Sequence, residues 1–385
     1  MMTTLKTICS YRKEKIDPQS LQSNSYVSTD GMASNKKGIF RFSIPPAHGK
    51  VTRYLKDDIL VSNIRPYFKK IWLADRDGGC SNDILVFTSN EHCSSEYLYW
   101  LLCNDKFFDY ASATAKGTKM PRGDKNALLD YPIQKHNRQL QEAIVRILRP
   151  FQQQLAINSR INDHLLEMAL SEYKELSRQS SSKRTLQDCT SLLCRGGAPK
   201  YCEKGKFHAL NQRCIRNHKI DDANARRIEN PRSREKLLRY GDILICSTGT
   251  GTLGRSAQVL CHDERVTVDS HVTIVRPAYE ALVEYLGCWA LSSEDQFESM
   301  AKGSTGQTEL PRTELAELEI GFPDAASLND FSGKTKPLFE AIQSNVRENQ
   351  SLECLRDALL PKLMSGEIDV SRIGLRQLNG HLSES

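Results

Sequence analysis

LQEAIVRILRPFQQQLAINSRINDHLLEM, residues 140–168, carries Leu140, Ile144, Ile147, Phe151, Gln154, Asn158, Ile161, Leu165 and Met168 at alternating spacings of four and three. That alternation is the repeat of a coiled-coil seam, here with a polar middle. A second stretch, Leu338, Ile342, Asn345, Asn349, Leu352, Leu355 and Leu359, has the same character and the same polar centre. Asn158, Asn162 and Leu165 match Asn345, Asn349 and Leu352 at a constant offset of 187. Two long helices, 136–178 and 327–366, are expected to pack antiparallel and pair their asparagines across the seam; the alternative is that each helix only covers its own domain. Pro150 is expected to kink the first helix or mark its start near Phe151, and Pro361 to end or bend the second near Leu360.

Working outward, other features recur in order. Lys56-Asp57-Asp58-Ile59-Leu60-Val61-Ser62 matches Tyr240-Gly241-Asp242-Ile243-Leu244-Ile245-Cys246 at an offset of 184. Ala115-Lys116-Gly117-Thr118 matches Ala301-Lys302-Gly303-Ser304 at an offset of 186, and Pro121-Arg122 is paired with Pro311-Arg312 across a four-residue insertion. Strand-like runs follow, at 130–133 and 317–323. Colinear matches at nearly one offset indicate a duplicated unit of globular domain plus helix. Runs 58–62, 84–87, 242–246 and 266–277 read as strands, and 95–110 and 280–300 as helical. The fold class is α/β: two similar mixed domains, 1–135 and 179–326, separated by two long antiparallel helices, with a carboxy-terminal tail at 367–385. Ser177-Arg178-Gln179-Ser180-Ser181-Ser182-Lys183 reads as the linker.

With 385 residues the chain is long enough for two cores, and no stretch approaches the apolar length of a membrane span. Its amino terminus lacks the basic, apolar and small-residue succession of a secretory signal, so a cytoplasmic location is expected. Twelve cysteines are scattered without a Cys-x-x-Cys pair, which favours buried reduced thiols over zinc; the nearest groupings are Cys189/Cys194/Cys202 and His92/Cys93. The net charge is +6, but residues 195–239 hold 13 Lys or Arg against 5 Asp or Glu. Such a local excess suits a phosphate-contacting surface, although a solvated basic face has the same composition.

Gly249-Thr250-Gly251-Thr252-Leu253-Gly254-Arg255-Ser256 fits both the dinucleotide and phosphate-loop patterns, but residues 256–260 are β-like, and both motifs need a helix there. A glycine-rich hairpin loop is therefore expected. Ser62-Asn63-Ile64-Arg65-Pro66-Tyr67 stands at the corresponding place in the first half. No Asn-Pro-Pro-aromatic methyltransferase motif, helicase set or His-Glu-x-x-His occurs. The candidate DNA contacts are Lys116, Thr118, Lys119, Arg122 and Lys125 in the first half. In the second half they are Arg195, Lys200, Lys204, Arg213, Arg216, Thr248, Thr250, Arg255, Lys302, Ser304, Thr305, Gln307 and Arg312. They combine cations for phosphates with side chains able to bond base edges. Catalytic and metal residues are not assigned.

Arg195-Gly196-Gly197-Ala198-Pro199-Lys200-Tyr201, Leu210-Asn211-Gln212-Arg213-Cys214-Ile215, Gly241-Asp242-Ile243-Leu244 and the stretch from Leu359-Leu360-Pro361-Lys362 to Ile368 resemble the specificity subunits of type I restriction enzymes. With the duplicated plan, the likeness covers nearly the whole chain; the first half departs from it at Ser10 to Lys15, where no Gly-Gly-x-Pro stands. The resemblance implies a non-catalytic subunit that reads a bipartite double-stranded DNA target, one half-site per domain. It also implies modification subunits bearing S-adenosylmethionine and motor-nuclease subunits using ATP and magnesium, so that the cofactors belong to partners. The readings from other classes are a nucleotide-dependent enzyme using residues 249–254 and a coiled-coil scaffold that never touches DNA.

Overall fold

The two matching apolar runs, Ile59–Ser62 and Ile243–Cys246, are buried along their whole length. A strand covered on both faces needs no alternation of polar residues, which is why these read as continuous apolar segments. Each is an inner strand of a four-stranded antiparallel sheet in a computed structural model that describes residues 2–118, 120–180, 182–261, 264–303 and 308–370. The chain divides inside its long helices, after Gln154 and after Gln350, into two compact units. The first holds the amino-terminal domain and the end of the second long helix, and the other holds residues 155–350.

The main sheets share one topology. In the first unit the order is Cys9–Tyr11, Ile84–Ser89, Ile59–Ser62, Ile71–Leu73, and in the second it is Thr190–Arg195, Val272–Pro277, Ile243–Cys246, Ser256–Gln258. The predicted strands are all present, with 266–277 resolved into Val266–Val268 and Val272–Pro277, and the helical runs into Ser95–Leu102 with Asp105–Ala113 and Val283–Ser292 with Glu294–Ser299. The secondary sheets differ: Val51–Tyr54 pairs with Gly78–Cys80 in the first unit, whereas Arg226–Ile228 pairs with Phe207–Leu210 in the second.

The aspartate before each matched strand accounts for the likeness in sequence. Asp58 accepts a hydrogen bond from the Leu55 amide at 2.7 Å, and Asp242 from the Arg239 amide at 2.8 Å. Each carboxylate also pairs with a guanidinium, but from a different place in the sheet. Asp58 meets Arg12 at 2.6 and 3.0 Å, with Thr88 Oγ1 donating at 2.9 Å. Asp242 meets Arg276 twice at 2.7 Å. Phe87 opposes Ile59 and Val275 opposes Ile243, so Arg276 stands where the first unit has Thr88.

The long helices span Arg138–Gln179 and Ala325–Met364. Asn158 Nδ2 donates to Asn349 Oδ1 at 2.9 Å and to Glu348 Oε2 at 2.8 Å, and Asn345 Nδ2 donates to Asn162 Oδ1 at 2.8 Å. The partner number falls as the first rises, so the helices run antiparallel through this segment. The asparagine pairing is as expected; the apolar seam needs correction. Ile161 and Met168 are exposed, as is Leu355, while Asn162, Ala169, Tyr173 and Arg356 are buried. The strict seven-residue reading drifts from a 3.6-residue helix by about 20° per heptad, or roughly 80° over the four heptads from Leu140 to Met168. The helices also cover their domains: Ala169 and Tyr173 join the core around Tyr285 and Phe331. Neither proline starts or ends its helix. The first helix begins at Arg138 and continues through Pro150, and the second runs past Pro361 to Met364, because one missing amide leaves the flanking ladder intact. The expected linker is also short, since helix reaches Gln179 and strand Ser182–Thr185 pairs with Glu319–Phe322.

Asp242 is inaccessible and Arg276 nearly so, so Asp242→Asn leaves a buried guanidinium without its counter-charge. The expected loss is about 3–5 kcal/mol, read as a lower urea midpoint at unchanged slope. Lys183→Ala removes only a surface pair with Glu319 and should cost less than about 1 kcal/mol.

Candidate nucleic-acid interface

In the second unit, four segments reach one end of the main sheet: Arg195 closes one strand, Ser247-Thr248 follow the next, Arg255 precedes the third and His271 the fourth. Backbone bonds hold them together. Ser247 N donates to His271 O at 2.8 Å, and Leu310 N to Ser247 O at 2.8 Å. Thr248 Oγ1 and His271 Nδ1 lie 2.6 Å apart. The neighbouring Asp269 carboxylate accepts from the His271 amide, yet burial holds its pKa above the usual carboxylate value.

Lys302 and Glu309 exchange both backbone bonds at 2.9 Å, which closes the chain between them; the candidates Ser304, Thr305 and Gln307 lie outside the described residues. The Lys302 side chain pairs with Glu314 in the first turn of helix Arg312–Ala316. In the first unit Lys116 and Arg122 make the same two backbone bonds, and Lys116 Nζ reaches Asp124 at 2.7 Å. Gly123 N bonds to Asn63 O as Leu310 N does to Ser247 O. Arg122 pairs with Asp83 at 3.1 Å, Lys125 begins helix Lys125–Leu129, Thr118 is exposed, and Lys119 lies outside the described residues.

These bonds correct the pairing of Pro121-Arg122 with Pro311-Arg312. Arg122 is the counterpart of Glu309, and Arg312 that of Lys125, since each of the latter two opens a short helix. The shared Pro-Arg dipeptide is coincidental, and backbone closure sets the true alignment.

Not every predicted contact faces outward. Arg195 is drawn inside: its guanidinium bonds Glu309 at 3.1 Å and Leu310 O at 2.8 Å, so it ties the loop to the sheet. Arg255 is half-buried, and its Nη1 has no hydrogen-bond partner among the described residues. Thr250 is exposed at the tip of the glycine-rich loop. That loop is the expected hairpin connection, since Ser256–Gln258 pairs antiparallel with Ile243–Ile245, and Gly249, Gly251 and Gly254 all have positive φ. A strand, not a helix, follows it in the chain, which departs from both phosphate-binding motifs.

Lys200, Lys204, Arg213 and Arg216 are exposed in the second unit. Tyr201 bridges to Ile228, and the Arg226 guanidinium stacks 3.3 Å from the Tyr201 ring centroid. Arg213 follows Gln212, which lies against Cys246 and Gly249 at the sheet end. Sequence reading missed Arg226, His271, Asn63, Arg65 and Tyr67. The position of 63–67 directly after a matched strand was the signal for the last three. Among the cysteines, Cys189 is buried, Cys194 half-buried and Cys202 exposed. Burial pushes the Cys214 and Cys246 thiols up to about 12, so they stay protonated and inert.

No family profile matches the chain. It is 23% identical over 314 residues to the type I restriction enzyme MjaIX specificity subunit of Methanocaldococcus jannaschii, covering 72% of this chain and 70% of that one. It is 33% identical over 84 residues to the HindI specificity subunit of Haemophilus influenzae, and 30% over 114 residues to the EcoDI specificity subunit of Escherichia coli. These two matches cover 22% and 29% of this chain and only 18% and 24% of those proteins. Among solved structures, the S subunit of the type I restriction-modification system from M. genitalium is 18% identical with a TM-score of 0.49, covering 94% of this chain and 96% of that one. The HsdS subunit from Thermoanaerobacter tengcongensis is 17% identical with a TM-score of 0.38, covering 96% and 97%.

The fold is a duplicated domain with matched polar loops at the sheet ends. In sequence the chain is similar to the specificity subunits of type I restriction enzymes.

If these exposed cations meet phosphates, replacing Lys200, Lys204, Arg213 and Arg216 by Ala should weaken binding to all DNA sequences alike. The slope of log K against log salt should become shallower by about 0.9 for each phosphate no longer neutralised. A salt series with an unchanged slope would assign this face to solvent.

Proposed function

We propose that the chain reads a bipartite double-stranded DNA target, one half-site for each of the domains 1–135 and 179–326, with the helices 136–178 and 327–366 setting the gap. The observation that carries this reading is the repeated sheet end, where Lys116, Arg122 and Lys125 in one domain and Thr248, Lys302 and Arg312 in the other surround the same backbone closure. Cations there suit phosphates, and hydroxyl and guanidinium groups suit base edges. Modification subunits carrying S-adenosylmethionine and motor-nuclease subunits using ATP and magnesium are the partners this role requires, and the cytoplasm is where it operates. No helix among the described residues is long and apolar enough to cross a membrane.

The test is to lengthen the helices. One heptad inserted near Gln154 and a second near Glu353, its antiparallel counterpart, keep the asparagine pairs in register. Seven residues add about 10 Å, or roughly three base-pair steps of about 3.4 Å. With partner subunits supplied, sequencing of methylated DNA should show a wider gap between unchanged half-sites. Altered half-sites with an unchanged gap would overturn the spacer role.

A further inference from the structure

The hairpin loop at the sheet end of the first unit is built unlike its counterpart. Residues 63–70 fold into a tight turn, Pro66–Phe68, flanked by Arg65 (φ 51°, ψ 64°) and Lys69 (φ 51°, ψ 45°), both in the left-handed region without being glycine. Such backbone costs of order 1–3 kcal/mol for each residue and persists only where the surroundings impose it. Here they do: Arg65 N donates to Pro121 O, Asn35 N to Phe68 O and Lys36 N to Lys69 O, at 2.8 to 2.9 Å. Pro66 is buried, and Lys69 is held by Asp105 at 3.0 Å.

What this scaffold presents is Tyr67, 52% exposed, its ring 4.7 Å from that of Phe68. Met120, 46% exposed, precedes the Pro121 that Arg65 bonds. The segments that carry the two also carry cations. Arg65 and Lys125 have no side-chain partner among the described residues, while Lys116 and Arg122 hold only the exposed pairs described above. Two exposed apolar side chains on segments joined by the Arg65–Pro121 bond, with cations in the same segments, suit bases flanked by phosphates better than an apolar protein surface. In the second unit the corresponding loop exposes no large apolar side chain, and Leu253 is buried.

We propose that Tyr67, with Met120 on the joined segment, is a specificity-determining contact of the first domain, its ring pressed against the bases of one half-site while Arg65 takes an adjacent phosphate. This rests on the DNA-recognition reading above and adds to it a residue and an asymmetry: a strained, rigid aromatic reader in one domain and a glycine-rich loop in the other. An aromatic side chain against base edges in a duplex groove discriminates through apolar contact, as with the thymine methyl, with effects on the order of ten-fold in affinity.

The experiment uses the full chain with its modification subunits and compares wild type, Tyr67→Ala, Tyr67→Phe and Tyr279→Ala. Tyr279 is exposed at the opposite end of the second unit's sheet, beyond strand Val272–Pro277, and serves as the control. Methylated motifs are sequenced, affinity is measured on matched and singly mismatched duplexes, and melting temperatures check folding. Tyr67→Ala should lose roughly ten-fold discrimination at one or two positions of a single half-site, with the other half-site unchanged and Tyr67→Phe close to wild type. Unchanged discrimination in Tyr67→Ala overturns the proposal, as does equal weakening at both half-sites with a lowered melting temperature. A wild-type complex that methylates no two-part motif overturns the bipartite reading as well.

Discussion

The buried carboxylate ahead of each central strand is the constraint from which the recognition surfaces follow. Asp58 and Asp242 each bond an amide three residues upstream and a guanidinium, Arg276 on the adjacent strand for Asp242 and Arg12, just past edge strand Cys9–Tyr11, for Asp58. The first bond shapes the entry turn, where Asp57 and Gly241 take positive φ. The second fastens that strand to the adjacent sheet segment. With the strand so fixed, its far end delivers Asn63 and Ser247 to the loops that close through Lys116–Arg122 and Lys302–Glu309. A buried ion pair adds little net stability, yet it is costly to break, so it specifies geometry more than it stabilises.

The duplication was legible because it depends on such local requirements. Asp-Ile-Leu recurs where a buried strand follows a capped turn, Ala-Lys-Gly recurs where a loop closes, and paired asparagines recur where two helices must find one register. The arginine partners were illegible. Arg12 follows one strand and Arg276 lies within a non-equivalent one, so they share no sequence offset; only the three-dimensional sheet order brings each to its aspartate. Arg195 misled for a related reason, since composition reports a cation's presence and not whether it bonds Glu309 and Leu310 or meets solvent.

Periodicity had a different limit. Counting by sevens identified the helices, their antiparallel pairing and their polar centre, but misplaced Ile161, Met168 and Leu355. An α-helix that also covers a globular core follows its own 3.6-residue turn, and the buried face moves to Asn162, Ala169 and Tyr173. The Pro-Arg dipeptides failed similarly: in the sequence an identical pair of residues outweighs the requirement that a loop close, and it is that closure which sets Lys302 opposite Glu309.

The two loops at the sheet ends reach positive φ by opposite means. The glycines of residues 249–254 take it at little steric cost. The turn at Pro66–Phe68 instead holds Arg65 and Lys69 in the left-handed region by bonds to three other segments. A pre-ordered contact surface binds with less entropy loss. One duplicated scaffold can thus carry loops of unlike build, because the Asp–Arg lock and the loop closure hold the strand ends while leaving the residues between them free to change.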